Sequence, residues 1–208
     1  MPEVASFSYA FATLQQLAED VLKHARDKGA TACEVDVSEG FGQSVGVRCD
    51  EVETIEFNRD KGVGVTVYCG QRKGYASTSD FSPQALRDTV EAALAIARFT
   101  AADDCAGLAD AELMAHDTPD LDLYHPWALT VEDAIETARR CEQAAFDASP
   151  LVSNSEGASI STQQAQFVAA NSLGFMGGYP TSRHYISCSV IAGENDGMQR
   201  DDWYTTHR

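Results

Sequence analysis

Glu51 to Ser79 reads EVETIEFNRDKGVGVTVYCGQRKGYASTS, consecutive antiparallel strands with almost no spare residues between them. Val63, Val65 and Val67 alternate with Gly64, Thr66 and Tyr68. A period of two puts one row on a core and leaves the other face smaller or more polar. Cys69 to Gly74 supplies a short polar turn with glycines for positive φ. Tyr75 to Ser79 is small and hydroxyl-rich, which suits a strand whose exposed face receives another backbone.

Outward from this stretch the chain alternates between two periodicities. Phe11, Leu14, Leu17, Ala18, Val21, Leu22 and Ala25 recur at helical spacing, predicting an amphipathic helix from about Tyr9 to Lys28 that ends near Gly29. Cys33 to Ser38, Gln43 to Cys49 and Glu51 to Asn58 read as strands, joined by Glu39-Gly40-Phe41-Gly42 and by a tight turn at Asp50. With Gly62 to Cys69 and Arg72 to Ser79 they form a meander. Ser82-Pro83 opens a second helix with a hydroxyl cap and a proline whose missing N–H costs nothing there; Leu86, Val90, Ala93, Leu94 and Ala97 are its buried stripe.

Periodicity then stops between Thr100 and Trp127, an acidic run with prolines at 119 and 126, read as a long excursion packed by Leu121, Leu123, Tyr124 and Trp127. A third helix starts at Thr130, which has capping-box spacing to Asp133, and runs towards Ala148 before Pro150. Strand chemistry returns at Ala158 to Gln164, Gln166 to Asn171, Phe175 to Tyr179, His184 to Ala192 and Met198 to Thr205. The last residues read as a strand ending before its continuation. The fold class expected is α+β: an antiparallel meander with helices on one face, then a second β-rich segment. Residues 1–100 carry helix, meander and helix, 101–128 the acidic wrapping loop, and 129–208 a helix plus the β-rich segment, continuous with the same domain.

Composition bounds the function. The chain has 208 residues, enough for one substantial core, and is 44% hydrophobic, which excludes disorder throughout. Fifteen Lys and Arg against 32 Asp and Glu give a formal net charge of −17, which repels phosphate backbones, so direct nucleic-acid binding is not expected. No apolar run reaches the roughly 20 residues that span a bilayer, and the N-terminus lacks the basic start and apolar centre of a secretory signal; no membrane partner and a cytoplasmic location are expected. The cysteines at 33, 49, 69, 105, 141 and 188 form no C-x-x-C pair and are read as reduced core residues.

Three constellations invite a chemical reading. His116, Asp117, Asp120, Asp122 and His125 offer metal-ligand atoms, but in a proline-bearing loop without helical register, so they are read as a solvated loop. Ser182-Arg183-His184-Tyr185 offers nucleophile and base. Strand alternation sends Ser182 and His184 to one face and the other two away, leaving a structural or substrate-contact role for Arg183 and His184. Gly62-Val63-Gly64 enters a β pattern with no following helix, so it is not a phosphate loop. Gly74, Ala76 and Ser77 are small enough to admit another backbone, with Arg72 and Lys73 guarding the entrance, so this strand is a candidate edge for an extended polypeptide or a partner. The alternative is an interior strand packed beneath the Pro83 to Arg98 helix. No catalytic, cofactor or metal residue is assigned.

In order, Glu51 to Asn58, Gly62 to Tyr68, Arg72-Lys73-Gly74, Asp80 to Pro83, Cys105 to Asp110, Pro119 to Pro126, Asn154 to Gly157 and Thr181 to His184 resemble the PmbA/TldE branch of the TldD/PmbA metalloprotease-like family, also labelled modulators of DNA gyrase. The resemblance covers nearly the whole chain. It implies a bacterial subunit acting beside a TldD-type partner in a heteromeric zinc protease that cleaves flexible or partly unfolded polypeptides. The zinc is expected in the partner, on a His-Glu-x-x-x-His helix. This chain holds no His-Glu dipeptide and so receives no zinc ligand. Family members are expected to continue into a C-terminal β-rich domain. The rival reading is a non-enzymatic acidic adaptor for a basic or flexible protein.

Overall fold

Residues 6–208 are described by a computed structural model; residues 1–5, part of the N-terminus read above for secretory character, lie outside the described residues. The elements are α1 (Phe11–Asp27), β1 (Ala32–Arg48), β2 (Glu51–Cys69), β3 (Arg72–Thr78), α2 (Pro83–Phe99), α3 (Val131–Ala148), β4 (Val152–Asn171), β5 (Met176–Ala192) and β6 (Gln199–His207), with single 3-10 turns at Ala111–Leu113 and Asn195–Gly197. The strands make one antiparallel sheet in the order β3-β2-β1-β4-β5-β6. The fold is α+β, and the second β-rich segment extends the meander's own sheet, β4 pairing with β1 from Glu34↔Asn171 to Val47↔Ala158.

All three helices lie on one face. The odd-numbered residues of β1 point to it, and alternation divides them by chemistry. Cys33, Val35 and Val37 join Val63, Val65 and Val67 of β2 and Val168 and Ala170 of β4 beneath α1 and α2. Val45 and Val47 join Ala158 and Ile160 beneath Ala134 and Ala138 of α3. Removing a buried Val from water is worth about 1.5–3 kcal/mol, so each alternating triplet is a strong reason for its strand to hold register. Between the two apolar patches lies a buried polar band: Glu39, Thr162, Gln164, Gln166, Ser182 and His184.

The helices form as the residues dictate. Ser82 Oγ accepts the Ala85 N–H at the start of α2, with Pro83 at its first position, and the expected stripe Leu86, Val90, Ala93, Leu94 and Ala97 is buried. Thr130 Oγ1 accepts the Asp133 N–H at 3.1 Å, while the Thr130 hydroxyl donates to Asp133 Oδ2 at 2.8 Å.

The strands depart from expectation in length. Two short strands were expected where each of β1, β2, β4 and β5 runs as one. Glu39-Gly40-Phe41-Gly42 is not a loop but the middle of β1, because ladders on both sides outweigh the local preference of two glycines. Pro180 sits inside β5 and costs no sheet bond to β6, because β6 ends opposite His184, short of it. The tight turn at Asp50 is the two-residue corner Cys49-Asp50, with φ of 50° and 69°.

The 100–130 segment wraps the sheet. Near its start Asp103 N–H bonds the Gln71 carbonyl; further on Met114 lies beside Asn171 on the face that carries no helix. It then rounds the β5 edge where β6 is missing: Ser182 N–H donates to the Leu123 carbonyl, replacing a ladder bond. Of the four apolar residues expected to pack it, Leu123 and Tyr124 are partly buried, whereas Leu121 and Trp127 stay exposed. Among the described residues no helix is long and apolar enough to cross a membrane.

Candidate functional site

The residues singled out as contacts fall into two separate places, with β2, β1 and β4 between them. Arg72, Lys73, Gly74, Ala76 and Ser77 lie on β3, at one edge of the sheet. The strand is not interior, although it does pack beneath the helix as that alternative expected. It is an edge, and its small residues also serve α2: Gly74 and Ala76 pair with Val67 and Val65 and face the helices, and a methyl on Gly74 would run into the Ala93 carbonyl and the Ala97 nitrogen. Arg72 Nη1 donates to the Arg98 carbonyl at 3.0 Å, satisfying the C-terminal end of α2 where positive charge is favoured. Lys73, Tyr75 and Ser77 alternate onto the helix-free face.

Arg183 and His184 lie on β5 and point to opposite faces, as alternation requires. Arg183 is exposed, with Nε 3.4 Å from Thr206 Oγ1. His184 is 9% exposed, edge-on to Trp127 at 5.6 Å. Its Nε2 lies 2.8 Å from the His125 carbonyl, which only accepts, so Nε2 is the donor of that bond, and Nδ1 has no partner among the described residues. Ser182 Oγ accepts the His125 N–H at 2.9 Å. Ser182 and His184 therefore hold the two ends of one strap residue, and Ser182, 1% exposed, is no accessible nucleophile.

The polar band does the same for two covering segments. Glu39, 4% exposed, accepts from Ser8 N–H, Tyr9 N–H and Gln166 Nε2 at 2.8–3.0 Å. Tyr124 donates its hydroxyl to Gln164 Oε1 at 2.7 Å, and Gln43 Nε2 donates to the Leu129 carbonyl at 2.6 Å. Sequence reasoning missed this band. Its signal was present: Gln164 and Gln166 occupy the same alternate positions as Ile160 and Val168, so they had to be buried and hydrogen-bonded.

A second buried acid, Glu142 of α3, is 2% exposed and accepts the Cys49 and Asp50 N–H groups at 2.9 and 3.0 Å. Burial by itself would raise this carboxyl, but hydrogen bonds from Ser155, Asp50 and Cys49, with the charge of Arg48, outweigh it and hold it below its ordinary value. On the helix-free face Tyr68 donates to Glu34 Oε1 at 2.7 Å, and burial together with that bond pushes its phenol up to about 12.

His116, Asp117, Asp120, Asp122 and His125 remain in the wrapping segment, His125 Nε2 lying 2.9 Å from the Asp122 carbonyl. Among the described residues no three His, Cys, Asp or Glu side chains gather where a metal ion could be held. The zinc that the family resemblance implies therefore finds no fitting donor set in these residues.

The residues thus placed lie on one sheet with helices on one face and open strand edges at β3 and β6. Residues 33–97 match the PmbA/TldA metallopeptidase domain 1, and residues 124–207 the PmbA/TldA metallopeptidase central domain. The chain is 48% identical over 195 residues to metalloprotease PmbA of Escherichia coli O157:H7, and 46% identical over 195 residues to its homolog in Haemophilus influenzae; each match covers 94% of this chain and 43% of the relative. A Bacteroides thetaiotaomicron crystal structure described as a modulator of DNA gyrase superposes with TM-score 0.83 at 22% identity, over 92% of this chain and 44% of that one. TldE of Thermococcus kodakarensis superposes at 0.70 with 12% identity, over 92% and 43%. Both share the fold. The chain belongs to the PmbA/TldD family, and it spans less than half the length of the PmbA proteins it matches.

Proposed function

We propose that this chain is the N-terminal part of a PmbA/TldE-like subunit of a heteromeric TldD/TldE-type zinc metalloprotease, acting in the bacterial cytoplasm on flexible or unfolded polypeptides. The observation that carries the reading is 48% identity, along 94% of the chain, to a protein named metalloprotease PmbA. In this reading the chain supplies sheet edge and cavity wall, and the TldD-type partner supplies the zinc, its imidazole ligands and the general base. The test is co-expression of the uninterrupted protein containing these residues with a TldD-type protein. Co-purification and casein digestion that stops on adding a chelator are expected; two proteins that elute apart, or digestion indifferent to chelator, overturn it.

A second reading, an acidic adaptor binding a basic or flexible protein without proteolysis, draws on the net charge of −17. It predicts capture of such a protein with no cleavage when the TldD-type partner is present.

A further inference from the structure

We infer that the first half of β2, Glu51 to Lys61, is a docking edge for an extended polypeptide strand that alternates apolar with Lys or Arg residues. β3 pairs with β2 only from Val63 onward, so β2 has β1 on one side of this half and no strand on the other. In an antiparallel ladder each residue turns its N–H and C=O to the same neighbour, alternately left and right, so every second residue here offers a free pair. Among the described residues no hydrogen bond reaches the backbone of 51–61 from that side. Every one of these residues is exposed.

The side chains on this edge are sorted. Val52, Ile55 and Phe57 stand opposite Val47, Val45 and Gln43 of β1, on the helix side, with exposures of 39, 46 and 68%. Glu51, Glu56 and Asp60 stand opposite Arg48, Ser44 and Gly40, on the other face. The two cations of the stretch are committed to the body. Arg59 stacks 4.8 Å from the Phe41 ring centre and donates to Ser6 O and Ser8 Oγ, and Lys61 donates to Tyr9 OH at 2.8 Å. Glu51, Glu53, Glu56 and Asp60 make no ion pair among the described residues. An edge strand ordinarily uses charge to repel partners, yet here the helix side is apolar from Val52 to Phe57 and the free charge has a single sign. A strand laid antiparallel along it would bury its apolar residues against Ile55 and Phe57 and set its basic ones beside the carboxylates. This assignment goes beyond the subunit reading and needs no protease partner.

The test uses the purified 208-residue chain and a labelled, capped octapeptide alternating valine and lysine, followed by fluorescence anisotropy at physiological salt. Saturable binding is expected. Phe57→Asn and Glu56→Lys should each weaken it at least about fivefold, in line with losing one cross-strand contact of roughly 1 kcal/mol. N-methylating alternate peptide nitrogens on one edge should abolish it. The double variant Glu56→Lys/Asp60→Lys should instead bind a valine–glutamate alternating peptide. Because the chain is acidic overall, Glu112→Lys, an exposed charge reversal outside the sheet, is the control and should leave binding unchanged. Equal binding of an octapeptide with four valines followed by four lysines, equal weakening by Glu112→Lys, indifference to N-methylation, or no binding at millimolar peptide would overturn the assignment. Thermal melts of each variant guard against misfolding, and since all four positions are solvent-exposed they should match the parent.

Discussion

Replacing Glu142 by alanine should cost about 2–4 kcal/mol of stability. The carboxylate, almost fully buried on α3, accepts both N–H groups of the Cys49-Asp50 corner at 2.9 and 3.0 Å. Hydrogen bonds to a charged group contribute about 1.5–3 kcal/mol each. Both corner residues are exposed, so water can replace part of what is lost, which lowers the expected total. The corner also stores strain at Cys49, whose φ of 50° costs a residue other than Gly, Asn or Asp roughly 1–2 kcal/mol, while Asp50 at 69° tolerates that region better. Glu142 is thus the clamp that keeps a strained two-residue hairpin closed. Cys49→Asn, which tolerates that conformation better, should recover about 0.5–1 kcal/mol in the Glu142→Ala background. The assay is urea unfolding of parent, single and double variants. The acid limb is a second readout. A folded-state carboxyl held below its ordinary value contributes stability that is present above the unfolded pKa, about 4.3, and lost as pH falls through the lower folded value. Between pH 6 and pH 3 the parent should therefore lose more stability than Glu142→Gln. A Glu142→Ala variant within about 0.5 kcal/mol of the parent would refute the clamp.

Gly74→Val should destabilise by about 3 kcal/mol or more, because any side chain there meets the α2 backbone, whereas Ser77→Ala on the other face of β3 should change the melting temperature little. Burial pushes the Cys33 thiol up to about 12, so at pH 9 only about one molecule in a thousand carries the thiolate; iodoacetamide should label exposed Cys49 and Cys105 long before Cys33, by mass spectrometry of peptides. The isolated chain should hold no stoichiometric zinc after dialysis, since His125 is engaged with Asp122 and no three ligand side chains converge among the described residues; one zinc per chain, lost on replacing His116 and His125, would revive a metal centre in the wrapping segment.

The parts of the fold that were legible are those whose cause is local. Ser82-Pro83 and Thr130 mark helix starts because capping happens within three residues, and the Val63-Val65-Val67 alternation names its own buried face. Strand continuity was not legible at Glu39 to Gly42 or at Pro180, because it depends on what lies alongside. Gly42 is closely approached by the side chain of Gln163 and the Thr162 carbonyl, and Pro180 is tolerated by where β6 stops. The edge position of β3 was half legible. Small residues at Gly74 and Ala76 did announce a close backbone, but the helix above them accounts for it. That β2 has no strand on its outer side over Glu51 to Lys61 depends on the length of β3, and nothing in EVETIEFNRDK states it.

The polar band explains why two apolar patches coexist on one sheet without merging. If Glu39, Gln164 and Gln166 were apolar, the helix face of β1 and β4 would be one continuous oily surface, and Ser8, Tyr9 and the strap at Tyr124 and His125 would have nothing to specify their positions. As it stands, each backbone segment crossing the gap is met by a named hydrogen-bond partner, and an unmet buried partner would cost about 1–3 kcal/mol. The two family-matched segments, 33–97 and 124–207, are consequently bound in two ways. The β1–β4 ladder joins them edge to edge, and the band joins them across the face, with Gln166 of the second reaching Glu39 of the first at 2.8 Å. Separating the segments would open both edges of that ladder and take from the buried Glu39 carboxylate its Gln166 partner.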